Sequence, residues 1–181
     1  MVRWQIGDPG VFDDGYIHAK WREPAQEEFN RLLKEIYGEN ITSLYGFNFN
    51  SKYHKIDFND VKDLSYEDVV KKYADKIYID MKYYVFVEGE FNKREEAEKV
   101  YSLLKQHVLG REIVSFGLVV NYMASDFKKE FYDNFVDVRY GRNGYDDETL
   151  YNKGKFINTM GLVGVDLKDD YINDIINEFE Y

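Results

Sequence analysis

The stretch KIYIDMKYYVFVEGEF, residues 76–91, decides the fold. Ile77, Ile79, Met81, Tyr83, Val85 and Val87 fall on one side of a two-residue repeat. Tyr78, Asp80, Lys82, Tyr84, Phe86 and Glu88 fall on the other. Strict alternation over this length predicts a β-strand with a buried first face, because successive side chains of a strand point to opposite sides. Asn92 then offers a helix cap, and Ala97, Val100, Tyr101, Leu104 and Val108 recur at helical spacing, predicting a helix over 93–109 that Gly110 stops. REIVSFGLVVNYM (111–123) reads as a second long strand. A strand–helix–strand unit of this length implies a right-handed crossover that sets the two strands parallel in one sheet.

Working outward, ITSLYGFNF (41–49) is strand-like, residues 2–6 suggest a short strand, and the alternation in YIHAKW (16–21) suggests another. Pro24 fits the first turn of a helix carrying Phe29, Leu32, Leu33 and Ile36, with Gly38 as its left-handed stop. NSKYHKIDFNDVKDL reads as a polar loop, and Ser65 with Asp68 predicts a capped helix over about 66–75. Beyond the second long strand, SDFKKEFYDNF suggests a short helix and VDVRY a strand. Residues 141–155 have loop chemistry and are expected to be mobile or ordered by a partner. FINTMGLVGVDL reads as a glycine-interrupted strand, and a last helix from near Asp169 or Asp170 turns Ile172, Ile175, Ile176 and Phe179 inward. The mixed order predicts an α+β fold: a single domain over 1–181, with a mixed sheet of five to seven strands flanked by four or five helices. A second arrangement, two lobes divided near residue 124, fits the same elements.

Composition narrows the function. The chain has 181 residues, 18% of them aromatic, 32% charged and none cysteine. That is enough apolar material for a real core, and it excludes disulfides, thiolate zinc sites and cysteine nucleophiles. No apolar run reaches membrane-spanning or signal-peptide length, so a soluble, cytoplasmic protein with no membrane partner is expected. A formal net charge of −10 argues against general nucleic-acid binding, which needs clustered Lys and Arg, and favours a basic protein partner.

Two constellations carry chemistry. Asp80-x-Lys82 has the spacing used by a large group of metal-dependent nucleases. On a strand both side chains share a face, and an upstream acid, Asp57 or Asp60, would complete a Mg²⁺ site. The same pair also reads as the polar side of an ordinary strand. His18, His54 and His107 lack metal-ligand spacing, and His107 lies near the buried stripe of its helix, where a packed histidine is expected. GRNG (141–144) and GLVG (161–164) match no phosphate-binding loop; the second reads as a strand with a bulge or a close backbone approach.

The second constellation is acidic. Asp146, Asp147 and Glu148 follow one another, and Asp170, Asp174 and Glu178 form a single-signed stripe along the last helix. The stripe reads either as a solvated face or as a surface that imitates phosphate spacing and docks on a basic groove. Small size, acidity, aromatic richness and the absence of Cys together resemble small phage or mobile-element inhibitors of the anti-CRISPR and anti-restriction type, and also bacterial immunity proteins. The resemblance lies in general character across the chain. It implies an inhibitor without cofactor that occupies the basic surface of a nuclease defence, with no catalytic residues. The alternative is a metal-dependent nuclease or phosphodiesterase using Asp57, Asp80 and Lys82.

Overall fold

A computed structural model describes residues 15–49, 58–113, 115–164 and 171–180. The quoted stretch is the centre of the molecule. It forms strand β2 (Ile77–Val87), flanked by β1 (Ile41–Phe49) and β3 (Ser115–Ala124), with β4 (Phe156–Val163) beyond β3. The sheet order is β1-β2-β3-β4. β2 and β3 run parallel, as the crossover predicts, and the two outer pairs are antiparallel. The class is α+β, but the described residues hold four strands where five to seven were predicted. The expected strand at residues 2–6 lies outside the described residues.

Two predicted strands are helical. YIHAKW belongs to helix α1 (Gly15–Tyr37), and VDVRY to α6 (Phe135–Tyr140). In α1 the buried residues Trp21, Ala25, Phe29 and Leu33 follow one another every four positions, a stripe that only a helix presents on one side. Pro24 therefore sits inside the helix, not in its first turn, and the proline is exposed. The missing Pro24 N–H costs one backbone bond, and the burial of Trp21 and Ala25 on the same stretch offsets it.

Among the described residues there are eight α-helices. Helices α2 (Phe58–Val61) and α3 (Tyr66–Tyr73) precede β2, and α4 (Lys93–His107) links β2 to β3. Helices α5 (Lys128–Asp133), α6 and α7 (Asp147–Asn152) lie between β3 and β4, and α8 (Tyr171–Asn177) follows. Capping follows the sequence reading: Ser65 Oγ accepts from the Asp68 N–H, and Asn92 Oδ1 accepts from the Arg94 and Glu95 N–H groups.

The two faces of the sheet have different cover. The inner face carries Ile77, Ile79, Met81, Tyr83 and Val85 of β2 with Phe116, Leu118, Val120 and Tyr122 of β3. These residues share one hydrophobic cluster with α1, α3, α4 and α8. On the outer face a second cluster covers, among the described residues, one end: Tyr84, Phe86, Met123 and Phe156 pack with Phe127, Phe131, Val138 and Leu150 of the α5–α7 segment. Phe131 anchors this layer, with its ring centroid 4.8 Å from that of Tyr84 and 5.2 Å from that of Phe86. The segment 141–155, expected to be a mobile loop, thus holds a capped helix with Leu150 buried in the second cluster.

Candidate functional site

Among the described residues no helix covers the other end of the outer face, and residues with poor strand preference gather there. Register sets Asp80 of β2 directly between Gly46 of β1 and Gly117 of β3, with Val163 of β4 opposite Gly117. In the next row Lys82 stands opposite Val119, which stands opposite Gly161. Asp and Gly both disfavour strand interiors, yet Asp80 and Gly117 sit in the two middle strands, with Gly46 and Gly161 in the outer strands beside them. Gly117 has a steric cause. A Cβ there would lie 2.4 Å from the Tyr78 hydroxyl oxygen and 3.3 Å from Asp80 Oδ1. Tyr78 therefore leans across β3 above Gly117, and a phenol and a carboxylate converge on one point.

Asp80 is exposed and makes no ion pair among the described residues. Its neighbour Lys82 instead sets its ammonium over the Tyr84 ring, 5.3 Å from the centroid. Burial, and then the charge of Asp80, raise the pKa of Tyr78, so this phenol stays protonated at neutral pH. Asp80 and Lys82 share a face, as the nuclease spacing requires. Asp57 lies outside the described residues, and Asp60 is an exposed residue of α2. Among the described residues no three His, Asp or Glu side chains come together as a metal-holding group.

The outer surface of the α5–α7 layer has a different character. Helices α5 and α6 form a nearly continuous rod: Asn134 N–H donates to the Glu130 carbonyl and Val138 N–H to the Asn134 carbonyl across their junction. Phe127, Phe131 and Val138 face the sheet. Tyr132, Val136 and Tyr140, again four apart, face solvent at 48%, 60% and 56% exposure. Tyr151 of α7 is also exposed. The guanidinium groups of Arg139 and Arg142 lie 5.3 and 5.0 Å from the Tyr140 ring centroid.

The acids expected to bind a partner divide. Asp146 is a helix cap: its Oδ1 accepts from the Thr149 N–H at 2.9 Å and its Oδ2 from the Thr149 hydroxyl at 2.7 Å, bonds that hold its carboxyl below the usual range. Asp147 and Glu148, in the first turn of α7, are exposed. Asp174 is exposed on α8, Glu178 is exposed just beyond its end, and Asp170 lies outside the described residues. The inward residues of this helix follow the sequence reading, with Ile175 and Phe179 buried and Ile172 and Ile176 packed against the core.

The inner face holds polar groups that sequence reasoning missed. Tyr37, Tyr83 and Tyr122 gather near Glu96, and the Tyr37 and Tyr83 hydroxyls lie 3.3 Å apart. Glu96 Oε1 accepts from Lys99 at 2.6 Å. Burial, reinforced by these neighbours, pushes the Tyr37 and Tyr122 phenols well above their ordinary pKa and keeps them neutral. His107 is fully buried with its ring centroid 5.3 Å from that of Phe29, the packed histidine its position predicted. Burial, and then the nearby Arg111 charge, lower its pKa to about 3.

Against known proteins, the chain matches no family model, no curated protein and no solved structure at a significant level. Among the described residues no helix is long and apolar enough to cross a membrane.

Proposed function

We propose that the protein is a non-catalytic binding protein that docks on a basic protein surface through the α5–α7 face. The observation that carries this reading is the exposed Tyr132–Val136–Tyr140 row on a rod whose opposite side is fully packed. Exposed large apolar side chains at regular spacing mark an interaction surface, and Tyr with Arg is the composition of interface hot spots. Residues 126–152 carry seven acids against four bases. Lys128, one of those bases, is committed to the Glu39 carbonyl and the Asn40 side chain. Asp133, Asp147 and Glu148 remain exposed around the aromatic row and complement a cationic partner.

The finer proposal is that this partner is a nucleic-acid-binding nuclease of a host defence, whose phosphate-gripping surface the acidic protein occupies. What supports it is the net charge of −10 and the general likeness to small phage inhibitors. The test is affinity capture from cells of the source with three baits: the wild type, Tyr132→Ser with Val136→Ser, and Asp133→Asn with Asp147→Asn and Glu148→Gln. All substituted positions are exposed, so all three baits fold. The expected outcome is one partner with a cationic nucleic-acid-binding surface, retained by the wild type and lost from both variants. Equal recovery by all three baits would refute the α5–α7 face as the docking surface.

A further inference from the structure

The Asp80 end of the sheet carries an inference beyond that reading, on another surface. The geometry points to a recognition site for a guanidinium group at Asp80, formed by the Asp80 carboxylate and the Tyr78 hydroxyl above Gly117. Three features support it. Register places glycine on both sides of Asp80, so the two directly adjoining positions carry no side chain, and Asp80 is exposed. The Tyr78 hydroxyl oxygen and Asp80 Oδ1 both lie within 3.3 Å of the point that a Gly117 Cβ would take, which brings two oxygen acceptors to one place. Asp80 makes no ion pair among the described residues, and the nearest cation along its strand, Lys82, is over the Tyr84 ring.

The occupant follows from charge and shape. A lone exposed carboxylate complements a cation, and the planar fork of a guanidinium places parallel N–H donors on a carboxylate and one more on a neighbouring oxygen. The Tyr78 hydroxyl supplies that neighbour. The side chain of an arginine reaches the exposed Asp80 carboxylate from solvent, with the Tyr78 hydroxyl beside it above Gly117. Val119 and Val163, exposed at 37% and 77%, border this ground with apolar surface for the arginine stem. Local violations of strand preference concentrated in one exposed patch are the pattern expected of a working site.

The test uses the full chain and two small probes, Nα-acetyl-arginine amide and its neutral isostere Nα-acetyl-citrulline amide, titrated while the backbone amides are followed by NMR. The arginine probe is expected to move the Gly117 and Val119 amides, and the citrulline probe to leave them in place. Asp80→Asn keeps the fold, because the side chain is exposed, and is expected to weaken arginine binding at least tenfold. Tyr78→Phe is expected to weaken it by a smaller factor. Equal responses to arginine and citrulline, or an Asp80→Asn protein that binds arginine unchanged, would overturn the assignment. So would Mg²⁺ shifting the same amides in an Asp80-dependent way while arginine does nothing, an outcome that makes the patch a metal site.

Discussion

Acid should destabilise this protein in part through His107, and the size of the effect follows from its surroundings. The side chain is fully buried at the end of α4, beside the Phe29 ring and near the Arg111 guanidinium. Burial removes water from the imidazolium, and Arg111 repels it, so the folded-state pKa falls to about 3 from an ordinary value of 6.5. A depressed histidine pKa means that the unfolded chain binds the proton more readily. The stabilisation is therefore complete above about pH 6.5 and is lost as pH falls toward about 3. Relative to alkaline pH, this single group costs about 2 kcal/mol at pH 5 and about 3 kcal/mol at pH 4, from the proton-linkage relation. For a domain of this size about 2 kcal/mol corresponds to a fall in Tm of roughly 4–8 °C.

Many carboxylates also titrate in this range, so the measurement is a difference. Urea unfolding is followed at pH 8 and pH 5 for the wild type and for His107→Leu, a near-isosteric apolar replacement. The variant starts with its own stability offset, which cancels because only the change between the two pH values is compared. The wild type is expected to lose about 2 kcal/mol more than the variant over this interval. Parallel losses in the two proteins would show that His107 accepts a proton in the folded state without penalty, and the burial argument would fail.

Two further outcomes follow from the outer face and the second cluster. Gly117→Ala forces its Cβ to within 2.4 Å of the Tyr78 hydroxyl, and the strain should cost about 1 kcal/mol, at the lower end for an overpacked site. Tyr78→Phe removes the clashing oxygen, so the double variant should recover most of that loss; a double-mutant cycle in urea showing strict additivity would refute the contact. Asp146→Ala removes both bonds to Thr149 and should lower stability, as loss of an N-cap does, with hydrogen exchange accelerated first in α7. Exchange in α7 as fast in the wild type as in the variant would mean that the cap does not hold the helix.

The elements legible in the sequence are those whose period could be counted over enough residues. β1 was readable from end to end, and β2, α4 and β3 with their parallel pairing followed from alternation, an Asn cap and a helical stripe. YIHAKW and VDVRY read as strands but are helical, because five or six residues cannot separate a period of two from one of 3.6. Tyr16, His18 and Lys20 mimic alternation, while the deciding pattern, Trp21–Ala25–Phe29–Leu33, extends well past the misread segment and across a proline that signals a helix start. VDVRY failed in the same way, since Val138 belongs with Phe127 and Phe131 upstream. Each of these segments adds a strand to the expected sheet and a helical turn to the observed fold.

The Asp80 patch shows where a single sequence stops informing. Asp80 stood out from its neighbours by the Asp-x-Lys spacing, and Gly161 by interrupting a strand, yet each alone has an ordinary explanation. What distinguishes the site is that Gly46 and Gly117, distant along the chain, become the two lateral neighbours of Asp80. Register creates that relation, and register is set by the inner-face pattern. Ile79 and Met81 must face the helices, so Asp80 must face out, and the crossover through α4 then fixes which residue of β3 lies beside it. A change of one residue in the β2–β3 register would turn Gly117 inward and set the bulky Phe116 or Leu118 against Asp80. The core therefore determines the geometry of the exposed carboxylate without touching it. This is also why substitutions at Gly117 test the site more sharply than those at Lys82, which shares the strand and the face of Asp80 but sends its charge to Tyr84.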